Sequence, residues 1–365
     1  MASLAVAPSP SSPTLRRGAR ALTLAPPPEP LISVVVVAYD SGGALLRCLA
    51  AVDREEEGVH EVIIVDNGAG GEEIEIAAAS SRVRIVEPGR NLGFAGGCNL
   101  GAEHATGDVL VFLNPDTIAA AGALRQLART LEDESISIVM ARLRLLYEPT
   151  LLNSSGTVVH ISGLGWAGGF AERASSLSGP LDVVAPSGAA MAIRADEFER
   201  LGGFRPEFFM YHEDQELGWR VRMAGKRVVV DPGADVYHDY EFDRHASKRY
   251  FLERNRIAFL ALGFSLRTLL VLVPVLLATE IGMLALAAKQ GWLRDKLRGS
   301  FWCIRNARLL WRLRRRTQAL RQVADRELVS LLTPVLSPAA MTLPGIVKLI
   351  NPLLAAYWRL ALKLI

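Results

Sequence analysis

The chain is poor in several features, and each shortage removes a class of function. It has three cysteines in 365 residues, Cys48, Cys98 and Cys303. They are far apart, show no metal spacing, and their odd number argues against a disulfide framework. A reducing, cytosol-facing catalytic domain is the simpler expectation. The net charge is only +3, so no global field points to nucleic acid. No glycine fingerprint directly follows the first strand-like run, which sets a nicotinamide oxidoreductase aside. There is no internal repeat. After Arg16 and Arg17 there is no unbroken apolar run of the kind a secretory signal needs. Residues 1–30 are instead rich in Ala, Pro and Ser, with Pro26-Pro27-Pro28, and are expected to form a disordered tail.

What is present is alternation. Leu31 to Ala38 (LISVVVVA) is a continuous apolar run that predicts a strand buried on both faces. A helix over 45–52, a strand over 61–65, a helix over 72–79 and a strand over 83–86 follow. Val109 to Leu113 predicts another buried strand, Ala119 to Leu131 a helix, and Ile136 to Met140 a strand. Strands alternating with helices imply an α/β fold with a mostly parallel sheet. Glycines and serines between Asn153 and Gly179 predict loops and hairpins. Order returns at Gly188 to Ile193, then a helix over 195–201 and another over 215–224. Short strands are expected at 228–230 and 236–238. Beyond residue 258 the composition shifts to Leu, Ala and Arg, which divides the chain into 31–258 and 259–365.

Five groups of residues could carry chemistry. Asp66 ends an apolar strand, where doubly wound sheets face their ligand crevice. It also precedes Asn-Gly, so a plain turn role competes. Gly93-Phe94-Ala95-Gly96-Gly97 is a glycine-rich loop that would let the backbone approach an anion, or simply a flexible connection. Asn114-Pro115-Asp116 closes the strand 109–113; a carboxylate there could hold magnesium or manganese, which need few protein ligands. Together the loop and that carboxylate suggest a bound diphosphate carrying a metal ion. Glu213-Asp214 is an acidic pair before a helix, either a helix-start preference or a general base. His238 follows a strand in a polar setting.

Taken in order, NLGFAGGCN, LNPD, SGAAMAI and FFMYHEDQELGWR resemble a family 2 glycosyltransferase of the GT-A fold, in the branch similar to rhamnosyltransferases. The resemblance covers roughly residues 31 to 258. It implies that Tyr39, Asp40 and Asp66 hold the base and ribose of a nucleoside diphosphate sugar. Asn91, Gly93 and Phe94 would line the diphosphate and sugar pocket. Asn114-Pro115-Asp116 takes the place of the DXD motif, with Asp116 and His238 on a divalent cation. Asp214 would be the catalytic base and Glu213 its helper. Asn114 stands where the motif has an acid, so weak metal affinity is expected. The Q-x-x-R-W signature of processive synthases is missing, and Arg254-Asn255-Arg256 occupies that region. Transfer of one or a few sugars is therefore implied, to a cell-envelope glycan or lipid-linked acceptor. Rhamnose leads; galactofuranose or another hexose remains open, as does an inactive sugar-nucleotide-binding scaffold.

The last third bears on location. Leu269 to Ala288 is apolar and near the roughly 20 residues that cross a bilayer, but it contains Pro274 and Glu280. Basic residues flank both ends, and both flanks favour the cytoplasmic side. A re-entrant hairpin or an interfacial helix is expected. Arg305 to Arg321 is a basic amphipathic stretch suited to anionic membrane surfaces, or to a solvated helix packed on the catalytic domain. Leu343 to Ile365 could dock beside it. The expected partners are the sugar nucleotide, the acceptor and the cytoplasmic face of the membrane, without nucleic acid.

Overall fold

The computed structural model describes residues 29–54, 58–240, 247–339 and 345–365. The tail expected over 1–30 lies outside them except for Glu29 and Pro30. The first half alternates as expected: β1 (Ile32–Ala38), α1 (Gly43–Asp53), β2 (Val59–Asp66), α2 (Glu72–Ala78), β3 (Val83–Val86), α3 (Gly93–Glu103), β4 (Val109–Leu113) and β5 (Thr117–Ala119). Then come α4 (Ala123–Thr130), β6 (Ile136–Leu145) and the short strands β7 (Leu152–Ser154), β8 (Thr157–Val159), β9 (Gly165–Ala167) and β10 (Leu181–Asp182). The catalytic-length region closes with β11 (Ala190–Arg194), α5 (Ala195–Leu201), α6 (Glu213–Met223) and β12 (Arg227–His238). Five helices follow: α7 (Lys248–Gly263), α8 (Leu266–Gln290), α9 (Leu293–Arg305), α10 (Ala307–Ala319) and α11 (Asp325–Val329), with α12 (Ile346–Leu364) at the end.

The sheet runs β10-β12-β6-β11-β4-β1-β2-β3. Strands β3, β2, β1 and β4 are mutually parallel, and β11 enters antiparallel between β4 and β6. β1 is buried along its whole length, because helices cover both of its faces. Its register aligns Ala38 with Asp66 and Val36 with Leu113. The carboxyl ends of β1, β2 and β4 therefore open on one edge, where such sheets bind ligands.

Three local expectations are corrected. The glycine-rich stretch is not a loop: Gly93 opens α3, and the later glycines lie inside the helix. They let α3 press against β1, since a Cβ on Gly97 would lie 2.8 Å from Val37 Cγ1 and one on Gly101 only 2.4 Å from Val35 Cγ1. The helix expected from Ala119 starts later, at Ala123, because Gly122 is left-handed (φ 78°) and residues 117–119 pair with β12. The two strands expected near 228 and 236 are one strand, with a register shift between Asp231 and Asp235. Pro232 and Gly233 read as a break in sequence, yet the strand absorbs them as a bulge.

Residue 258, placed at the division of the chain, falls inside α7. That helix packs on α6 through Trp219, whose ring lies 5.7 Å from Phe259 and 5.4 Å from Phe264. Trp219 Nε1 donates to the Gly263 carbonyl at 3.1 Å. The apolar stretch forms one continuous helix, α8, rather than a hairpin, with Pro274 inside it. Among the described residues α8 is the one helix long and apolar enough to cross a membrane. Its Glu280 is ion-paired with Arg256 of α7 and with Lys296 of α9. Glu253 completes this ion-paired set, 2.6 Å from Lys296 and 3.2 Å from Arg256. Four charges that would each be costly alone are thus satisfied together.

Gly101→Ala is expected to destabilise the fold by about 1–3 kcal/mol. The helix gains about 0.5–1 kcal/mol from alanine, but the added methyl would strike Val35 in the immobile centre of the sheet. Urea unfolding measures the balance, and an unchanged or raised midpoint would contradict it.

Candidate active site

The open edge of the sheet gathers four segments. Behind β1, Tyr39 is half exposed, and its ring lies against Gly68, where a Cβ would sit 3.8 Å away. Asp40 is exposed with φ 46°. Behind β2, Asp66 Oδ1 accepts the N–H groups of Gly68, Ala69 and Gly70 at 3.1, 2.7 and 3.2 Å. One oxygen of Asp66 therefore fills the turn role, and it holds the loop on which Tyr39 rests.

Asn67 is buried and links that loop to the next. Its amide donates to Asn91 Oδ1 at 2.9 Å and to the Gly93 carbonyl at 3.1 Å, and its oxygen accepts the Leu92 N–H at 2.7 Å. Asn91 Oδ1 also accepts the Gly93 N–H at 2.7 Å. Gly93 has φ 71°, and a Cβ there would come 2.3 Å from the Phe209 carbonyl oxygen. That carbonyl accepts the Ala95 N–H at 3.0 Å. Position 93 must be glycine on both counts, backbone conformation and space.

The Phe209 contact brings the fourth segment to the site. Phe209, Tyr211 and His212 all have φ near +65°, a conformation that side chains rarely adopt and that clusters at functional sites. The tight path ends at Glu213-Asp214, the first turn of α6. Asp214 Oδ2 accepts the Gly188 N–H at 2.9 Å, and Oδ1 accepts the Gln215 N–H at 2.7 Å. Phe94 stands across Gly188, where a Cβ would lie 3.0 Å from Phe94 Cε1 and 3.6 Å from Asp214 Cβ.

The two carboxyls differ electrostatically. Burial, then the neighbouring Asp214 charge, push Glu213 well above the usual carboxylate range, and its Oε2 has no hydrogen-bond partner. Burial also raises Asp214, but the Gly188 and Gln215 N–H groups oppose it. Donors aimed at a carboxylate favour its charged form. Burial therefore raises both carboxyls, and the N–H groups on Asp214 oppose that rise.

Asp116 and His238 meet at the end of β12. The pairing of His238 with Thr117 in β5 sets His238 Nε2 3.4 Å from Asp116 Oδ1. The Asp239 N–H donates to the Asp116 carbonyl at 2.9 Å. His238 Nδ1 lies 3.0 Å from Asn153 Oδ1, which orients the ring with Nε2 toward the Asp116 carboxylate. An amide oxygen that orients a ring this way is the usual support of a metal-binding imidazole. Among the described residues no group of three or more His, Cys, Asp and Glu gathers as a metal site. Asn114 enters by its backbone: its N–H donates to the Ala189 carbonyl at 2.9 Å. Gly188 and Ala189 thus join the two clusters, one residue bonded to Asp214 and the next to the Asn114 segment.

Sequence reasoning missed Asn67, which looks like an ordinary turn residue, and Asn153, which lies in an irregular region. It missed Gly188 because a backbone donor leaves no side-chain trace. No local signal in the sequence would have found them.

Residues 33–198 match a family model described as glycosyl transferase family 2. Polypeptide N-acetylgalactosaminyltransferase 11 of Xenopus tropicalis is 28% identical over 58% of this chain and 39% of its own length. The chain thus spans well under half of that relative. N-acetylglucosaminyl-diphospho-decaprenol L-rhamnosyltransferase of Mycobacterium tuberculosis is 29% identical over 57% of this chain and 76% of its own length. The crystal structure of GalNAc-T7 with UDP, GalNAc and Mn2+ is similar with a TM-score of 0.56 at 19% identity, over 64% of this chain and 48% of that one.

Proposed function

We infer, from a chain that carries a family 2 glycosyltransferase domain on a GT-A fold, that the protein moves a sugar from a nucleoside diphosphate to an acceptor hydroxyl with inversion. The observation that carries this reading is the adjacent carboxyl pair at the start of α6, with the Asp214 carboxyl held by the Gly188 and Gln215 N–H groups beside a buried Glu213. Each oxygen of Asp214 has one N–H on it and a lone pair to spare. One of them takes the acceptor proton as the acceptor oxygen bonds to the anomeric carbon. The bond from that carbon to the diphosphate breaks, and its electron pair leaves on the diphosphate. Burial and the neighbouring Asp214 charge favour the neutral form of Glu213. The transition state resembles an oxocarbenium ion, as in other glycosyl chemistry.

Tyr39, Asp40 and Asp66 are assigned to the base and ribose, since they line the ends of β1 and β2. Asn91, Gly93 and Phe94, with Asn114, are assigned to the diphosphate and sugar. Asp116 and His238 would hold a magnesium or manganese ion; a carboxylate with an oriented imidazole fits such an ion, which completes its shell with water. When bound, the cation would offset charge on the leaving diphosphate. The mycobacterial relative supports rhamnose as the sugar and a lipid-linked acceptor.

The C-terminal helices support a place on the cytoplasmic face of the membrane. Leu266, Leu270, Leu277 and Ile281 are exposed along α8, and each would contribute about 1.5–3 kcal/mol if buried in lipid. Arg308, Arg312, Arg315 and Arg316 with Trp311 are exposed on α10, a pattern suited to anionic lipid. The set of Glu253, Arg256, Glu280 and Lys296 ties α8 to the catalytic domain, which favours an interfacial helix over a span.

Three outcomes are expected. Asp214→Asn should lose about 100- to 10,000-fold in turnover while still binding donor; release of diphosphate from nucleoside diphosphate rhamnose, galactofuranose and N-acetylgalactosamine measures it. Near-normal turnover would refute the base. Excess chelator should reduce that activity and added magnesium or manganese should restore it; full activity in chelator would assign the role to fixed positive charge. In flotation assays the protein should bind vesicles containing anionic lipid and lose part of that binding in high salt. Failure to float with any vesicle would remove the membrane from the reading.

A further inference from the structure

The strained segment 208–213 has an unusual support, and it comes from outside the matched family segment. Asn255 of α7 is 1% exposed. Its side-chain amide Nδ2 donates toward three carbonyls, those of Phe208 at 2.9 Å, Met210 at 2.9 Å and Tyr211 at 2.7 Å. Arg254 Nε donates to Asn255 Oδ1 at 2.8 Å, which fixes which end of the amide faces the carbonyls. Arg254 Nη2 donates to the carbonyls of Glu207 and Phe208 at 2.7 and 2.6 Å. Two adjacent side chains thus hold four carbonyls, those of Glu207, Phe208, Met210 and Tyr211.

That segment would not keep its shape alone. Three of its residues have positive φ without being glycine, at a cost of order 1–3 kcal/mol each. The carbonyls of Glu207, Phe208, Met210 and Tyr211 lie outside any α-helix or strand, and buried carbonyls need donors. The side chains of Arg254 and Asn255 supply them. α7 is itself anchored, since the next residue, Arg256, is buried and paired with Glu253 and Glu280 and donates to the Ser162 carbonyl at 3.0 Å. The segment leads directly into Glu213-Asp214, and its Phe209 carbonyl seats the start of α3 at Gly93 and Ala95. Moving it would displace the carboxylates and the donor-facing loop together.

We propose that Asn255, braced by Arg254, is a positioning residue that holds the 208–213 segment so that Asp214 meets the acceptor hydroxyl. The proposal rests on the reading of Asp214 as the base. It gives the α7 dipeptide a role in the chemical step: it sets the geometry of the base and touches no substrate.

The test compares Asn255→Ala, Asn255→Asp and Arg254→Lys in the full chain. Hydrogen exchange over residues 207–216 should quicken at least about tenfold in Asn255→Ala, with β1 and β4 unchanged. With nucleoside diphosphate rhamnose as probe, kcat per folded molecule should fall at least about tenfold. Asn255→Asp should be worse than alanine, because it turns a carboxylate on three carbonyl oxygens. A purely structural role would lower the folded fraction and leave kcat per folded molecule intact, and that result would overturn the proposal. So would unchanged exchange over 207–216. If both Asn255 variants fail to fold, Arg254→Lys, which keeps the charge but loses the planar fork, decides by the same two readings. Asp214→Asn measured alongside separates the two ideas: if it turns over normally, the base assignment falls, while the exchange result still reports on the segment.

Discussion

The site depends on one close approach, that of the Gly93 backbone to the carbonyl of Phe209. No side chain fits between them, for a Cβ on Gly93 would lie 2.3 Å from that oxygen. The contact joins residues more than a hundred positions apart, and the Ala95 N–H locks it. Through it, the first turn of α3 and the carboxyl pair of α6 share one rigid frame. Relaxing it would cost both halves of the site their alignment, and misplacement of about 1 Å can cost a hundredfold in rate.

Within that frame, burial and hydrogen bonding divide two adjacent carboxyls into different roles. Both are taken from water, which favours the neutral form. The Gly188 and Gln215 N–H groups reach Asp214. One of these donors, Gly188, belongs to the segment that enters β11, so the antiparallel strand inserted in the sheet helps set the charge of a residue on a helix. The neighbouring Ala189 carbonyl fixes the Asn114 backbone. The same two residues thus hold the Asp214 carboxyl and place the Asp116 turn.

The C-terminal helices are part of this arrangement. Trp219 and its aromatic partners fuse α6 to α7, and the buried charges on α7, α8 and α9 extend the connection to the apolar helix. A charge such as Glu280 looks like a flaw in an apolar run when read alone. Paired with Arg256 and Lys296 it becomes the point at which that run is fastened to the domain.

Sequence by itself determined the alternating α/β order, the buried strands at 32–38 and 109–113, and the motif blocks that resemble a known family. Continuous β-branched runs and long motif blocks carry those signals locally, and local signals survive in one dimension. Tertiary structure decided the rest. Whether the glycines after Asn91 form a loop or a helix depended on the valines of β1, against which they pack. Whether Pro232 and Gly233 end a strand depended on the partner strand β6. The supports of the site, Asn67, Asn153, Gly188 and Asn255, act through backbone groups or distant side chains. Hydrogen bonds of that kind depend on where the chain returns in space, and no residue type or spacing announces them.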